Sequence, residues 1–382
     1  MKPAVHQADA CASATASSAE PPLSGRSVAL VHEWFGATGG SEQVFLRLAD
    51  VVPHAQRYVL WRDHDAIVDG DLRESWLART PLRHSKALAL PVMPVAWRTL
   101  TRDTYDVVIS SSHAFAHTVR AGHPATTRYL SYVHSPARYV WSPQLDGRGA
   151  RPLLAPVRKV LQAGDRALSR HVHSYAANSR EVRERIRRYW RRDARVINPP
   201  VDVDFFAGAP AVVRRQERCY LLGVGRWIPY KRFDLVIEIA AEAGLPLVLA
   251  GSGPEEGHLR RLAEKTGGLV SFEVSPSRER LRELYWGARC LLYPGHEDFG
   301  MIPVEAQACG CPVIGLARGG LTETVVDGLT GYLVPELRTR AFVDFIPRLG
   351  DLRGDAVRAN AGRFTVAAFE ANIKRWLAEV SA

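Results

Sequence analysis

The sequence predicts an α/β chain of two domains, each built on a parallel sheet, and three observations carry this. A β-rich run, Ser27 to His32, passes into a loop holding Gly36, Gly39 and Gly40 and then into a helical pattern from Ser41. This is how a Rossmann-like unit opens, because glycine lets backbone approach a ligand beside a helix N-terminus. Short apolar runs then alternate with helical stretches along the chain, which calls for parallel strands covered on both faces. The pattern breaks at Asn198, Pro199 and Pro200, where a Pro-Pro pair marks a rigid linker.

In the first domain, residues 25–198, further strands are expected at Arg57 to Leu60, Asp106 to Ser110, Tyr129 to His134 and Ser174 to Ala177. The second, residues 199–365, shows them at Cys219 to Val224, Leu247 to Ala250, Leu269 to Phe272, Cys290 to Tyr293 and Val313 to Gly315. Residues 366–382 form a closing amphipathic helix, with Phe369, Ile373, Trp376 and Leu377 on one side, expected to pack back on the first domain. Residues 1–24 are rich in Ala and Ser and lack the apolar core of a signal peptide, so a disordered leader is expected. No run reaches the roughly 18 apolar residues of a membrane span.

A formal charge of +10 suits nucleic acid, an anionic membrane or a phosphorylated substrate alike. No recognisable nucleic-acid module accompanies it, which argues against that partner. Arg183, Arg185, Arg187, Arg188, Arg191 and Arg192 crowd one helical stretch and read as a solvated face. The five cysteines, with Cys309 and Cys311 one residue apart, fit neither a disulfide framework nor a zinc site, and suit a reducing cytoplasm. Residues 81–102 mix Leu88, Val92, Met93, Val95 and Trp97 with Arg83, Lys86, Arg98 and Arg102. Two readings stay open for them: helices covering the first sheet, or a surface that meets lipid headgroups.

The strongest chemical signal runs from His296-Glu297-Asp298-Phe299-Gly300-Met301-Ile302-Pro303-Val304-Glu305 to Gly310-Cys311-Pro312. It reads as strand, glycine turn, helix and next strand, so the loop lies where open α/β sheets bind ligands and the helix offers free N–H groups to a diphosphate. Glu297 in the loop and Glu305 about two turns into the helix can accept hydrogen bonds from a sugar at one end and a ribose at the other. Gly223-Val224-Gly225-Arg226, with Lys231 five residues on, ends the second domain's first strand. Two cations converging there would stabilise a leaving group that gains negative charge. Gly251-Ser252-Gly253 is a weaker glycine turn with a supporting role, and Gly319-Gly320 reads as a turn.

In the first domain, His113 follows a strand end, on the cleft side. A lone histidine is more often structural, but this position favours contact with a transferred sugar. His134, Arg138, Tyr139 and Trp141 lie in an aromatic and basic loop after the next strand, suited to a carbohydrate acceptor; the alternative is that Tyr139 and Trp141 pack between loops.

Together these motifs resemble the retaining glycosyltransferases of family 4, whose fold is GT-B: two Rossmann-like domains whose parallel sheets face an interdomain cleft. The similarity covers nearly all of the chain after residue 25. Glu297 and Glu305 look like that family's glutamate pair, Arg226 and Lys231 like its diphosphate-binding pair, Gly39-Gly40-Ser41-Glu42 like its first glycine loop and His113 like its cleft histidine. The resemblance implies catalytic roles for His113, Arg226, Lys231 and Glu297. It implies donor contacts from Gly39, Gly40, Gly225, Gly253, Asp298, Phe299, Gly300, Met301, Ile302 and Glu305, beside acceptor contacts from His134, Arg138, Tyr139 and Trp141. The anomeric configuration would be kept, with a leaving phosphate oxygen helping to deprotonate the acceptor, and no metal or separate cofactor is expected.

The wording around Ser112-His113 and Tyr132-Val133-His134-Ser135-Pro136 looks most like bacterial GDP-mannose-dependent mannosyltransferases of polysaccharide assembly. The expected substrates are therefore a hexose donor, mannose favoured, and a glycan or polyprenyl-diphosphate-linked saccharide acceptor. The expected place is the cytoplasm, with peripheral contact at the anionic inner face of the membrane. A sugar-nucleotide 2-epimerase of the same fold and a catalytically silent nucleotide-sugar-binding protein remain as alternatives.

Overall fold

Val28-Ala-Leu-Val-His32 is buried at every position, so it cannot be an edge strand and must sit between neighbours in a covered sheet. A computed structural model, which describes residues 22–36, 39–63, 70–123, 125–143, 155–208 and 218–381, places it at the centre of the first of two sheets. Most of the leader expected over residues 1–24 lies outside the described residues.

The first sheet contains β1 (Val28–His32), β2 (Gln56–Val59), β3 (Leu72–Glu74), β4 (Val107–Ser112), β5 (Arg128–Val133), β6 (Ser174–Ala177) and β7 (Arg195–Val196), in the spatial order β3-β2-β1-β4-β5-β6-β7. The second contains β8 (Tyr220–Arg226), β9 (Leu247–Ser252), β10 (Val270–Val274), β11 (Ala288–Tyr293), β12 (Val313–Leu316) and β13 (Gly331–Val334), in the order β10-β9-β8-β11-β12-β13. Neighbouring strands are parallel throughout both sheets. Strand order reverses between β1 and β4 in one sheet and between β8 and β11 in the other, and ligands of open α/β sheets bind outside the carboxyl ends of strands at such points. Those ends carry His32 and Ser112 in the first domain and Arg226 and Tyr293 in the second.

The chain crosses between domains twice, and the crossings touch: Val201 bridges Thr365 and its N–H donates to the Phe364 carbonyl at 2.9 Å. After the second crossing the helix Val366–Ser381 lies on the first domain, where Phe369, Ile373, Trp376 and Leu377 join the core beneath β1 and the helix Gly40–Val51. Trp376 is buried and its indole donates to Ser174 Oγ at 2.8 Å. Residues 81–102 form short helices, Lys86–Ala89 and Met93–Arg98, that bury Ala89, Met93, Ala96 and Trp97 against the first sheet and leave Leu88 and Val95 exposed.

Removing the Trp376 ring empties a buried volume the helix cannot close. Trp376→Ala is expected to lower stability by about 3–5 kcal/mol, whereas Lys374→Ala on the exposed face changes it by less than about 0.5 kcal/mol; urea unfolding followed by circular dichroism measures both.

Candidate active site

The second domain supplies a charged cleft floor from two adjacent strand ends. β8 runs out at Arg226, which is exposed, and a tight turn, Pro229–Lys231, brings Lys231 back over it. Gly225 makes this possible: its φ is +139°, and a Cβ there would lie 3.2 Å from Lys231 Nζ and 3.4 Å from Ile302 Cδ1. Beyond β11, Gly295 lets the next loop lie against the Lys231 backbone, where a Cβ would come within 3.1 Å of Lys231 Cα. The loop delivers Glu297, whose Oε1 lies 3.0 Å from Lys231 Nζ, with the two side chains only 16% and 13% exposed. Lys231 Nζ also sits 5.7 Å from the centre of the Tyr293 ring. The loop is held from behind, since Gly320 N–H donates to the Glu297 carbonyl at 2.9 Å and a side chain at Gly320 would strike the Phe299 backbone.

Gly300, at φ +91°, turns the chain into the helix Met301–Ala308, which carries no side-chain cap. Its first-turn N–H groups therefore lack an intrahelical acceptor and form the positive end of the helix dipole. Met301 and Ile302 are half-buried there; Ile302 faces Gly225, and the Met301 sulfur faces Gly40, close enough that a Cβ on that glycine would be 3.0 Å away. Gly39 is the extended N-cap of the first domain's opening helix. Gly253 is needed for packing, because a Cβ would collide with the Trp227 backbone. The Phe299 ring is in the core, edge-on to Phe364, so only its backbone is placed to meet a ligand. Further along the helix, Glu305 accepts from the buried Tyr285 hydroxyl at 3.2 Å. Burial pushes the Glu305 carboxyl up to about 7, against the opposing pull of that hydrogen bond, Arg278 and Lys231.

The facing wall belongs to the first domain and is imidazole-rich. His32, His113 and His134 form a triangle with ring centres 5.5, 6.2 and 6.2 Å apart, and Trp34 packs edge-on to His113 at 4.5 Å. Ser111 Oγ ties two of them together, 3.0 Å from His32 Nδ1 and 2.8 Å from His134 Nε2. Burial holds all three neutral: His32 falls to about 4, His134 to about 3 and His113 well below the usual imidazole value. His32 Nε2 and His113 Nδ1 are buried without a hydrogen-bond partner. Neutral imidazoles both donate and accept, as hydroxyl ligands require.

Behind this wall Ser112 Oγ lies 3.3 Å from His117 Nδ1, and His117 Nε2 lies 3.0 Å from Asp165 Oδ1, off the angle of a good hydrogen bond. The order is that of a hydrolytic triad, yet all three side chains are sealed in the core and Ser112 Oγ donates to the buried Glu33. They act as scaffold.

Several residues singled out in the sequence meet at the domain boundary. Asp298, expected among the donor contacts, is enclosed by guanidinium groups of the first domain: Arg138 Nε and Nη2 lie 3.1 and 2.7 Å from its Oδ2, and Arg185 Nη1 lies 2.5 Å from its Oδ1. These cations hold the Asp298 carboxyl below its usual value despite burial. Arg138, expected to meet an acceptor, gives two of its nitrogens to Asp298 and lies 5.5 Å from the Tyr230 ring centre. The arginine-rich helix Arg180–Trp190 is not wholly solvated. Arg183 and Arg187 do grip Asp193 at the surface, but Arg185 is buried. Trp141, also expected at the acceptor, has its indole on Asp165 at 2.6 Å and its ring stacked on Tyr189, as the packing alternative anticipates. Tyr139 packs beside the same sheet face.

The structure therefore gathers Lys231, Glu297, Gly225, Ile302 and Gly300 on one side of the cleft and His113 and His134 on the other. Sequence reading passed over Tyr230, His32, Trp34, Tyr285 and Arg185. Tyr230 feels the charges of Glu297, Arg138, Lys231 and Arg226 together, and its position directly before Lys231 was the available signal.

Residues 210–361 match the family described as glycosyl transferases group 1. The D-inositol 3-phosphate glycosyltransferase of Mycobacteroides abscessus is 37% identical over 190 residues, covering 46% of this chain and 41% of that protein. The Kribbella flavida protein of the same name is 36% identical over 212 residues, covering 49% and 48%. The chain thus spans about half the length of the curated relatives it matches. Sucrose-phosphate synthase from Thermosynechococcus elongatus superposes with a TM-score of 0.71 at 19% identity, over 92% of this chain and 99% of that one. Anabaena HepE in complex with UDP superposes with a TM-score of 0.69 at 17% identity, over 92% and 100%. The fold is GT-B.

Glu305 makes a testable contribution to stability. The folded chain keeps its proton to about pH 7, whereas the unfolded carboxyl releases it near 4.5. The folded state then binds more protons in that interval, so this contribution falls as pH rises through it. The stability of wild type minus that of Glu305→Gln is expected to decline from pH 4.5 to 7, as read from urea midpoints; a flat difference contradicts the assignment. The buried histidines act in the opposite sense and are common to both proteins, so they cancel.

Proposed function

We propose that this chain is a retaining glycosyltransferase that moves a hexose from a nucleoside-diphosphate sugar to a hydroxyl of a saccharide or polyol acceptor. The observation that carries the reading is the Lys231–Glu297 pair, 3.0 Å apart, set at the ends of β8 and β11 beside an uncapped helix start. A diphosphate entering there competes for Lys231 with better charge and adds the helix N–H groups and Arg226 as further donors. Glu297, released from its partner, accepts from hydroxyls of the sugar. Glu305, deeper in the cleft, accepts from the ribose. The neutral His113 and His134 meet hydroxyls of the transferred sugar and acceptor from the opposite wall.

In the transfer, the bond from the anomeric carbon to the diphosphate oxygen breaks and a bond to the acceptor oxygen forms on the same face. The acceptor's proton passes to the departing phosphate oxygen, and the growing charge on the diphosphate is met by Lys231, Arg226 and the helix dipole. These fixed cations fill the place a metal takes in other phosphate chemistry, and no cofactor beyond the donor is invoked.

The wording of the first-domain loops favours GDP-mannose as donor. Structural neighbours solved with UDP and with UDP-glucose favour a uridine nucleotide, and relatives named for D-inositol 3-phosphate favour a phosphorylated polyol acceptor over a lipid-linked glycan. Unbridged cysteines suit a reducing cytoplasm. No described helix is long and apolar enough to cross a membrane; exposed Leu88 and Val95 near Arg98 support peripheral contact with an anionic surface.

A thermal-shift panel of GDP-mannose, UDP-glucose and UDP-N-acetylglucosamine is expected to show stabilisation by one donor and its free nucleotide. Lys231→Ala and Glu297→Ala should each lower transfer by about 100-fold or more with unchanged circular dichroism. Near-wild-type transfer in both variants removes the proposal, and an epimer formed from donor alone replaces it.

A further inference from the structure

We propose that Arg185 is a positioning residue for the transfer reaction: it clamps Asp298, so that the loop carrying Glu297 takes its working place only when the two domains are docked. This rests on the donor-site reading above.

Asp298 belongs to the second domain, immediately beside Glu297, and its side chain is 12% exposed within first-domain side chains. Arg185 reaches it from the helix Arg180–Trp190, and Arg138 from the short helix Arg138–Trp141. Both arms are fixed at their far ends by one group. Asp165 Oδ2 accepts from the indoles of Trp141 at 2.6 Å and Trp190 at 2.7 Å, the last residues of those two helices. Arg185 is aligned further by Glu181, whose Oε1 takes Arg185 Nη2 at 2.9 Å and Nε at 3.1 Å.

The same helix is held to the second domain at its start, where Glu323 Oε1 accepts from Arg180 N–H at 2.6 Å. A rigid first-domain frame therefore ends in two guanidinium groups that meet across one second-domain carboxylate. Swinging the domains apart would strip both guanidinium groups from Asp298 at once and return its carboxylate to water, with the loss of two charge-assisted contacts. It would also remove the first-domain restraint on the residue beside Glu297 and leave the loop from residue 295 to 300 to its second-domain contacts at Gly295 and Gly320. The cations and helix N–H groups proposed for the diphosphate all belong to the second domain, so nucleotide affinity is expected to survive loss of the clamp, whereas turnover needs the docked state. The clamp thus acts on the rate, because small misplacements of reacting groups are costly.

The test uses the full chain, calorimetry with UDP and GDP, and turnover of the donor that wild type accepts. In Arg185→Met the nucleotide Kd is expected to stay within about threefold while kcat falls about 100-fold. Arg185→Lys, which keeps the charge and loses the fork, recovers part of kcat at the same Kd and carries the test if the Met variant does not fold. The double variant Arg185→Met/Asp298→Asn should be no slower than the slower single variant. Arg183→Met, whose guanidinium binds Asp193 at the surface, should match wild type. A Kd that weakens in step with kcat, or a kcat that ignores Arg185, overturns the inference. Failure of wild type to bind either nucleotide instead overturns the donor-site reading.

Discussion

A carboxylate taken out of water has to be matched, and at Asp298 the match comes from the other domain. Burying an ionised acid costs several kcal/mol unless charge and hydrogen bonds compensate, and here two guanidinium groups supply both. The arrangement ties the position of the β11 loop to the position of the first domain. Everything the second domain offers at the cleft, from Glu297 to the start of the helix Met301–Ala308, hangs on that loop. Glycines at 225, 295 and 320 then let three backbone segments approach closely enough to stack Lys231, Glu297 and the helix start in one place.

The charge pattern across the cleft is asymmetric. Arg138 and Arg185 are spent on Asp298 and Glu181, whereas Lys231 is balanced by a single carboxylate and Arg226 is exposed at the mouth. An incoming dianion therefore finds two cations it can claim without breaking the domain contact. Burial keeps the first-domain imidazoles uncharged, so the histidines neither compete for the phosphates nor repel the cations opposite.

Both sheets could be read from the sequence because their central strands are apolar runs, buried on both faces and bounded by glycine. β3, β7 and β13 escaped: β3 and β7 are short edge strands with exposed or half-buried residues, so nothing apolar repeats, and β13 is a four-residue edge strand that opens on Gly331 straight after a turn. The loops after β8 and β11 were legible for a different reason, since strand end, glycine and charged residue lie within ten residues of one another. The contacts that Asp298 makes with Arg138 and Arg185 are not legible on that same local logic. These partners lie 160 and 113 residues away, and no local pattern encodes a pair of that separation. Arg185 was hidden among neighbouring arginines, and only the fold distinguishes the one turned inward from those that bind Asp193. His32 ends an ordinary apolar strand, and its companionship with His113 and His134 exists only once β1, β4 and β5 are laid side by side.

The most direct measurement is a crystal structure of the chain with the nucleoside diphosphate that stabilises it. The account predicts phosphate oxygens within about 3 Å of Lys231 Nζ and of the first N–H groups of the helix Met301–Ala308, with the Lys231–Glu297 contact opened and Asp298 still held by Arg138 and Arg185. A diphosphate bound elsewhere, with Lys231 and Glu297 still paired, would contradict it.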